Sequence, residues 1–209
     1  RDFTKVVSGR AYYAPIVNFE GGLLNDPVVF CISEERFFIS LSDSDLFNWI
    51  SAINYGMKFN AQVIETDIFT IAVQGPKSEQ VMVKTLGKEI KNIKFFNFKE
   101  FNFNNENIFI SKTGFSKQSG YEVLFSNPNT GTLLWDLIMK DGQELNIRVF
   151  GFLGCGGGDA LKYCDEAFIV PSDDTGRIQE SHITAGHALM EYMDDHLIEK
   201  VIFIYMTDK

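Results

Sequence analysis

The sequence is short of the residues from which several functions are built. It holds three cysteines, Cys31, Cys155 and Cys164, an odd number with no C-x-x-C pair. That spacing excludes a disulfide framework and a zinc ribbon and leaves buried thiols as the expectation. No apolar run approaches the roughly 20 residues of a membrane-spanning helix, and no basic-then-apolar leader precedes a small-residue cleavage site. The expected compartment is the cytoplasm, with no membrane partner. Basic residues are scarce too: 19 Lys and Arg stand against 28 Asp and Glu, a formal charge of −9. Nucleic-acid affinity is built on clustered cations, so DNA and RNA are excluded as partners. Internal repeats and low-complexity tracts are also missing. What is there is a globular composition, 45% hydrophobic and 14% aromatic over 209 residues, enough for one good core or two small ones.

Glycine is abundant at one place. The stretch "NIRVFGFLGCGGGD", residues 146–159, carries five glycines behind β-type residues. A P-loop needs a Lys and a Ser or Thr after its last Gly, for the phosphates and Mg²⁺, and Asp159 stands there instead. The dinucleotide pattern G-x-G-x-x-G fails as well, because Gly154 and Gly156 have no glycine at the third spacing. A turn after a strand is the reading that survives.

Residues 11–19, 27–33 and 36–41 are rich in Val, Ile, Tyr and Phe and are separated by "EGG", "NDP" and "SEE", so they read as strands joined by turns. "SDSDLFNWISAINYGM" is an amphipathic helix, with Ser42 or Asp43 as N-cap and Leu46, Phe47, Ile50 and Ile53 at helical spacing. "AQVIET" and "FTIAVQG" return to strand, and "PKSEQVMVKTLG" is a helix with Pro76 in its first position and Gly87 at its stop. Strands follow near 95–103, 107–113 and 121–126, then a helix from about Thr130 to Gln143. This order fits an α+β domain with an antiparallel-rich mixed sheet. Beyond residue 146, "IRVFGFLG" and "EAFIVP" read as short, buried parallel strands around "GGGDALKYCD". A long helix from about Asp174 to Lys200 closes the chain, capped by Asp173 or Asp174.

Residues 1–145 resemble the folate-dependent aminomethyltransferases, the glycine cleavage T protein and its relatives. The motifs "AYYAPIVNFEGGLLNDPVV", "IAVQGPKS" and "TGFSKQSGYEV" occur in that family's order. Their wording is nearest to the branch that demethylates dimethylsulfoniopropionate. The resemblance implies a partial folate-binding domain, tetrahydrofolate as cofactor, a small-molecule substrate and methyl transfer from a sulfonium or amine donor. It places Tyr13, Phe115, Tyr121 and Glu122 at the pterin. A fixed carboxylate accepts two parallel N–H bonds from an amidine-like edge, which a neutral side chain cannot match. The T protein's catalytic Asp falls on Asn25, with Asp26 beside it. Asn carries no charge and takes up no proton, so glycine cleavage is not expected, whereas a sulfonium methyl is already activated. Read without the motifs, Tyr13 is a core residue, Glu122 a solvated strand residue and Asn25-Asp26-Pro27 a turn.

Residues from about 147 to 199 resemble a different family, the phosphosugar isomerases of the SIS fold, near phosphoheptose isomerase. "GFLGCGGGDALKYCDEAFIVPSDDTGRIQESHITAGHALMEY" is similar to that family's last two strands and closing helix. The resemblance makes 146–209 a partial α/β SIS segment, gives Gln179 and His187 catalytic roles beside a metal, and makes zinc the metal candidate. Eight residues along a helix amount to a rise of about 12 Å and an offset of about 80°, so only long side chains leaning together meet at one ion. His182 lies about 140° from His187 and His196 lies opposite it, so the three histidines form no site on this helix alone. The alternative function is therefore isomerisation of sedoheptulose 7-phosphate. The opening at Arg1 reads as entry into a domain midway, and a join of two partial coding sequences is expected inside "GQELNIRV", residues 142–149. A chimera of that kind would do nothing specific and would self-associate through unpaired sheet edges.

Overall fold

The computed structural model describes residues 2–41 and 45–206, with side chains as far as residue 196. Ser42 and Asp43, the expected caps of the first helix, lie outside the described residues. Two compact units divide the chain, Arg1–Leu145 and Asn146–Lys209.

The first unit runs β1 (Arg10–Tyr13), β2 (Ile16–Val17), β3 (Leu23–Asn25), β4 (Val28–Cys31), β5 (Phe37–Ser40), α1 (Leu46–Met57), β6 (Phe69–Gln74), α2 (Ser78–Leu86), β7 (Phe98–Phe103), β8 (Glu106–Ser111), β9 (Gly120–Phe125) and α3 (Pro128–Glu144). An antiparallel sheet of order β6-β9-β8-β7 lies at its centre. Alternation along the strands sorts its side chains into two layers. Tyr121, Val123 and Phe125 of β9, with Ile108 and Ile110 of β8, pack with Met82 of α2 and Leu134 of α3. Leu124 of β9 points the other way and packs with Ala11, Phe30 and Phe98, with Phe109 and Val28 against them. That second layer belongs to a sheet of order β1-β4-β5. The order is helices, four-stranded sheet, three-stranded sheet, an α+β arrangement as expected.

Local chemistry explains where the elements begin and end. The run 11–19 is not one strand: Pro15, which has no N–H to give to a ladder, separates β1 from β2, and β2 pairs with β3 as a small hairpin. "AQVIET" forms no strand; only Val63 in it is even half-buried, so nothing compensates the ordering of an edge there. Pro76 precedes α2 rather than opening it, in a turn closed by Ser78 N–H donating to the Gly75 carbonyl at 3.0 Å. Gly87 ends α2 at φ 95°, as its position implies. β7 and β8 form a hairpin on Asn104 and Asn105, both at positive φ, the conformation that a type I′ turn asks of its two central residues. Glu106, the first residue after that turn, accepts from Asn127 Nδ2 and Thr130 Oγ1 at the start of α3, while Asn127 Oδ1 caps Asn129 N–H at 2.9 Å.

The second unit holds β10 (Phe150–Gly154), a 3₁₀ segment (Cys155–Tyr163), β11 (Glu166–Val170) and α4 (Thr175–Met206). β10 and β11 are parallel, in register from Phe150 opposite Glu166 to Gly154 opposite Val170. They are not buried strands, however. Phe150 is 52% exposed, and Phe152 and Phe168 are 38% exposed. A two-stranded sheet with α4 against it has too little around it to enclose both faces. The glycine run is the turn that follows β10: Gly156, Gly157 and Gly158 all have positive φ, at 72°, 96° and 51°, which side-chain-bearing residues resist. Asp174 is the N-cap of α4, its Oδ1 accepting from Arg177 N–H at 3.1 Å.

Candidate functional site

Glu122 sits at the middle of the first unit's central strand. On its two sides in the sheet stand Ala72 of β6 and Ser111 of β8. Both neighbours are small, so no bulky side chain crowds the carboxylate. Its face is that of Leu124, toward the three-stranded sheet. Oε2 accepts a hydrogen bond from the Thr113 hydroxyl. Tyr13 borders the same layer: it shares a face of β1 with Ala11, and its cross-strand partner Val28 packs on the same cluster. The Tyr13 ring is half exposed, and its hydroxyl donates to Asp26 Oδ2 at 3.1 Å. That bond to a carboxylate raises the Tyr13 phenol above its ordinary range, helped by partial burial and by the Asp26 charge.

Asn25, at the end of β3, is buried, with its Oδ1 lacking a hydrogen-bond partner. A buried acceptor left without a donor costs about 1–3 kcal/mol. Such an atom suits a ligand that brings partial positive charge to it. Phe115 stands on the loop between β8 and β9 and is 94% exposed. The loop itself is fixed by Gln74: its Nε2 donates to the Thr113 and Tyr121 carbonyls, both at 3.1 Å, and its Oε1 accepts from Ser116 Oγ at 2.9 Å. The Gln74 side chain lies so near the backbone that a Cβ on Gly114 or Gly120 would come within 2.3 or 2.4 Å of it.

Tyr121 does not join this group. It is fully buried on the helix-facing side of β9, opposite to Glu122, where its hydroxyl donates to Glu79 at 3.3 Å and Lys112 lies 5.2 Å from its ring centre. Adjacent residues of a strand face opposite ways, and Tyr121, expected at the cofactor beside Glu122, stands in the core on the other face. Burial raises its phenol, a push that Lys112 partly offsets. Burial pulls the Lys112 ammonium down, but Tyr121 and Glu79 outweigh it and hold it above its usual range.

In the second unit Gln179 and His187 are both exposed on α4. The histidine that faces the strands is His182, its Nε2 3.0 Å from the Leu153 carbonyl and its ring edge-on to Phe152 and Phe168. Among the described residues no group of three or more His, Cys, Asp or Glu side chains is placed to hold a metal ion. Two surface hollows lie elsewhere, one of about 380 Å³ beside Phe168 and Thr184 and one of about 560 Å³ beside Asn54 and Phe59. No expected site residue lines either. Glu122, the Tyr13–Asp26 pair and Asn25, all in the first unit, are the better candidates because a carboxylate, a held phenol and an unpaired amide oxygen carry recognition chemistry that the hollows lack.

Residues 1–157 match the family of the GCVT N-terminal domain. The dimethylsulfoniopropionate demethylase DmdA of Ruegeria pomeroyi is 32% identical over 148 residues, 71% of this chain and 41% of that protein. An aminomethyltransferase of Halothermothrix orenii is 23% identical over an alignment covering 95% of this chain and 58% of that one. The crystal structure of glycine cleavage system aminomethyltransferase T from Bartonella henselae superposes with a TM-score of 0.58 at 21% identity, over 66% of this chain and 37% of that one. That likeness is one of fold. The chain spans 41% to 58% of these two curated relatives. The family match and the Halothermothrix alignment both run across residues 142–149, where the sequence suggests a join.

Proposed function

The chain belongs to the family of the GCVT N-terminal domain, and from that premise we propose that it is part of a tetrahydrofolate-dependent methyltransferase acting on a small sulfonium donor. Support comes first from Glu122, a carboxylate on a central strand between two small neighbours, on the layer that Tyr13 also borders. The residues fit a pterin. Thr113 holds one oxygen of Glu122, and the remaining lone pairs suit two N–H groups of a flat ring edge. Tyr13, tied by Asp26, and Phe115 offer aromatic surfaces to such a ring. When bound, tetrahydrofolate supplies the nitrogen that accepts the methyl group.

The chain's own residues have limited acid–base work to do. A sulfonium leaves as a neutral thioether, its sulfur keeping the electron pair of the broken S–C bond, so no proton is needed on the leaving group, and the one proton released, from the nitrogen that takes the methyl group, would pass to solvent. Asn25 suits that step: a neutral carbonyl oxygen, without a donor of its own, lies beside the Tyr13–Asp26 pair and can face a methyl group bearing partial positive charge. Asp26 holds the Tyr13 hydroxyl rather than exchanging a proton with substrate.

Calorimetry with tetrahydrofolate tests this reading. Binding is expected for the intact chain, and Glu122→Ala should weaken it by about tenfold to a hundredfold, the loss of hydrogen bonds to a charged group. Absence of heat with the intact chain at high ligand concentration would overturn it. Within the same proposal, the cytoplasm is the compartment and the edge strands β5 and β6 are the surfaces for self-association. A sharp monomer in gel filtration counts against the second point. A second reading, sugar-phosphate isomerisation at Gln179 and His187, draws on the parallel β10–β11 pair and its glycine turn. Turnover of sedoheptulose 7-phosphate that His187→Ala abolishes is its test.

A further inference from the structure

The hydroxyls behind Glu122 have a fixed direction. Ionised, its carboxylate only accepts, so the Thr113 hydroxyl proton is committed to Oε2. Ser111 Oγ lies 2.6 Å from Thr113 Oγ1. With the Thr113 proton already placed, that short contact requires Ser111 to donate to Thr113 rather than to its other acceptor, the Glu122 main-chain carbonyl, which lies farther off at 3.4 Å. Both hydroxyls are buried, at 0% and 3% exposure, so water does not compete for either bond. Thr113 is also held by its main chain, its carbonyl accepting from Gln74 Nε2 at 3.1 Å. Ser111 and Gln74 therefore fix Thr113 from two sides, and Thr113 in turn fixes a single oxygen of Glu122.

We propose that Thr113 is a positioning residue of the ligand site, taking one lone pair of Glu122 Oε2 so that the carboxylate plane is held with its remaining lone pairs toward a planar N–H edge, with Ser111 supplying the proton that orients the Thr113 hydroxyl. The inference rests on the reading of Glu122 as the pterin-edge carboxylate. A free carboxylate turns about its last torsion and loses the geometry that two parallel bonds need. A carboxylate held at one oxygen by a buried hydroxyl meets the ligand already oriented, so less ordering accompanies binding.

Tetrahydrofolate binding to the intact chain, measured by calorimetry on Thr113→Val, Thr113→Ser, Ser111→Ala, Glu122→Ala and the double variant Thr113→Val with Glu122→Ala, tests this. Thr113→Val removes the hydroxyl while keeping the side chain's shape and is expected to weaken binding about tenfold, whereas Thr113→Ser keeps the hydroxyl and stays within about threefold of the parent. Ser111→Ala is expected to weaken binding about two- to fivefold, since it loosens Thr113 without removing it. In the double variant the valine should add nothing to the loss from Glu122→Ala. Equal losses from the valine in both backgrounds, or parental binding by Thr113→Val, would overturn the inference while leaving Glu122 in its role. Should Thr113→Val fail to fold, parental binding by Ser111→Ala would overturn it instead. If Glu122→Ala binds like the parent, the proposed function falls, and the role of Thr113 falls with it.

Discussion

Tyr13 and Tyr121 carry the same phenol into unlike surroundings, and the difference is measurable. The Tyr13 hydroxyl is held by Asp26, which raises it. Stability from that bond is present below the phenol's unfolded pKa of about 10 and is lost as pH rises through the higher folded value. Asp26→Asn should move the Tyr13 transition down toward its ordinary range, as read by phenolate absorbance against a Tyr13→Phe control. An unmoved transition would refute that cause. Cys31 is buried and its thiol is pushed up, first by desolvation and then by Glu34. A thiol reagent should leave it unmodified in the native protein and modify it after denaturation. The motifs single out Tyr13, Asn25 and Glu122 as candidates, whereas residue type alone does not, because a strand tyrosine, a strand glutamate and an Asn-Asp-Pro turn each have an ordinary structural use. Thr113 and Gln74 were not legible. Their partners lie 9 and 39 to 47 residues away, and a neutral hydroxyl or amide leaves no pattern by which those distances could be read.

Elements were readable where local chemistry alone fixes them. Gly87 stops α2, the Asn104-Asn105 turn makes the β7–β8 hairpin and Asp174 caps α4, each through bonds or dihedrals within a few residues. "AQVIET" misleads because β-type composition marks a strand only when a neighbouring edge and a buried face exist, and that stretch has neither. The start of α3 is a tertiary matter: Glu106, from a hairpin more than twenty residues earlier, takes hydrogen bonds from Asn127 and Thr130. Glu106→Ala should destabilise the first unit by about 1–3 kcal/mol, through lost charged hydrogen bonds and a buried Thr130 left with one fewer partner. Urea unfolding followed by circular dichroism checks this, and an unchanged midpoint would count against that bracing.

The two units differ in how much they bury. The first contains both apolar clusters, whereas the described part of the second buries little beyond Gly151, Gly157 and Val170. Limited proteolysis should therefore cut first within 146–209, at exposed sites such as Phe150 or Leu161, and leave a resistant piece ending near Leu145, identifiable by mass spectrometry. Early cleavage inside β8 or β9 would contradict this. The parallel pairing of β10 and β11 was legible from two short apolar runs, but their exposure was not, because hydropathy reports what a strand would gain from cover and not whether cover is present. β9 has a ladder on each side, with β6 and with β8. Its amide protons should be among the slowest in the molecule to trade with deuterium. Glu122 is thus mounted on backbone expected to open rarely, so its carboxylate should keep its place through fluctuations that loosen the chain's periphery.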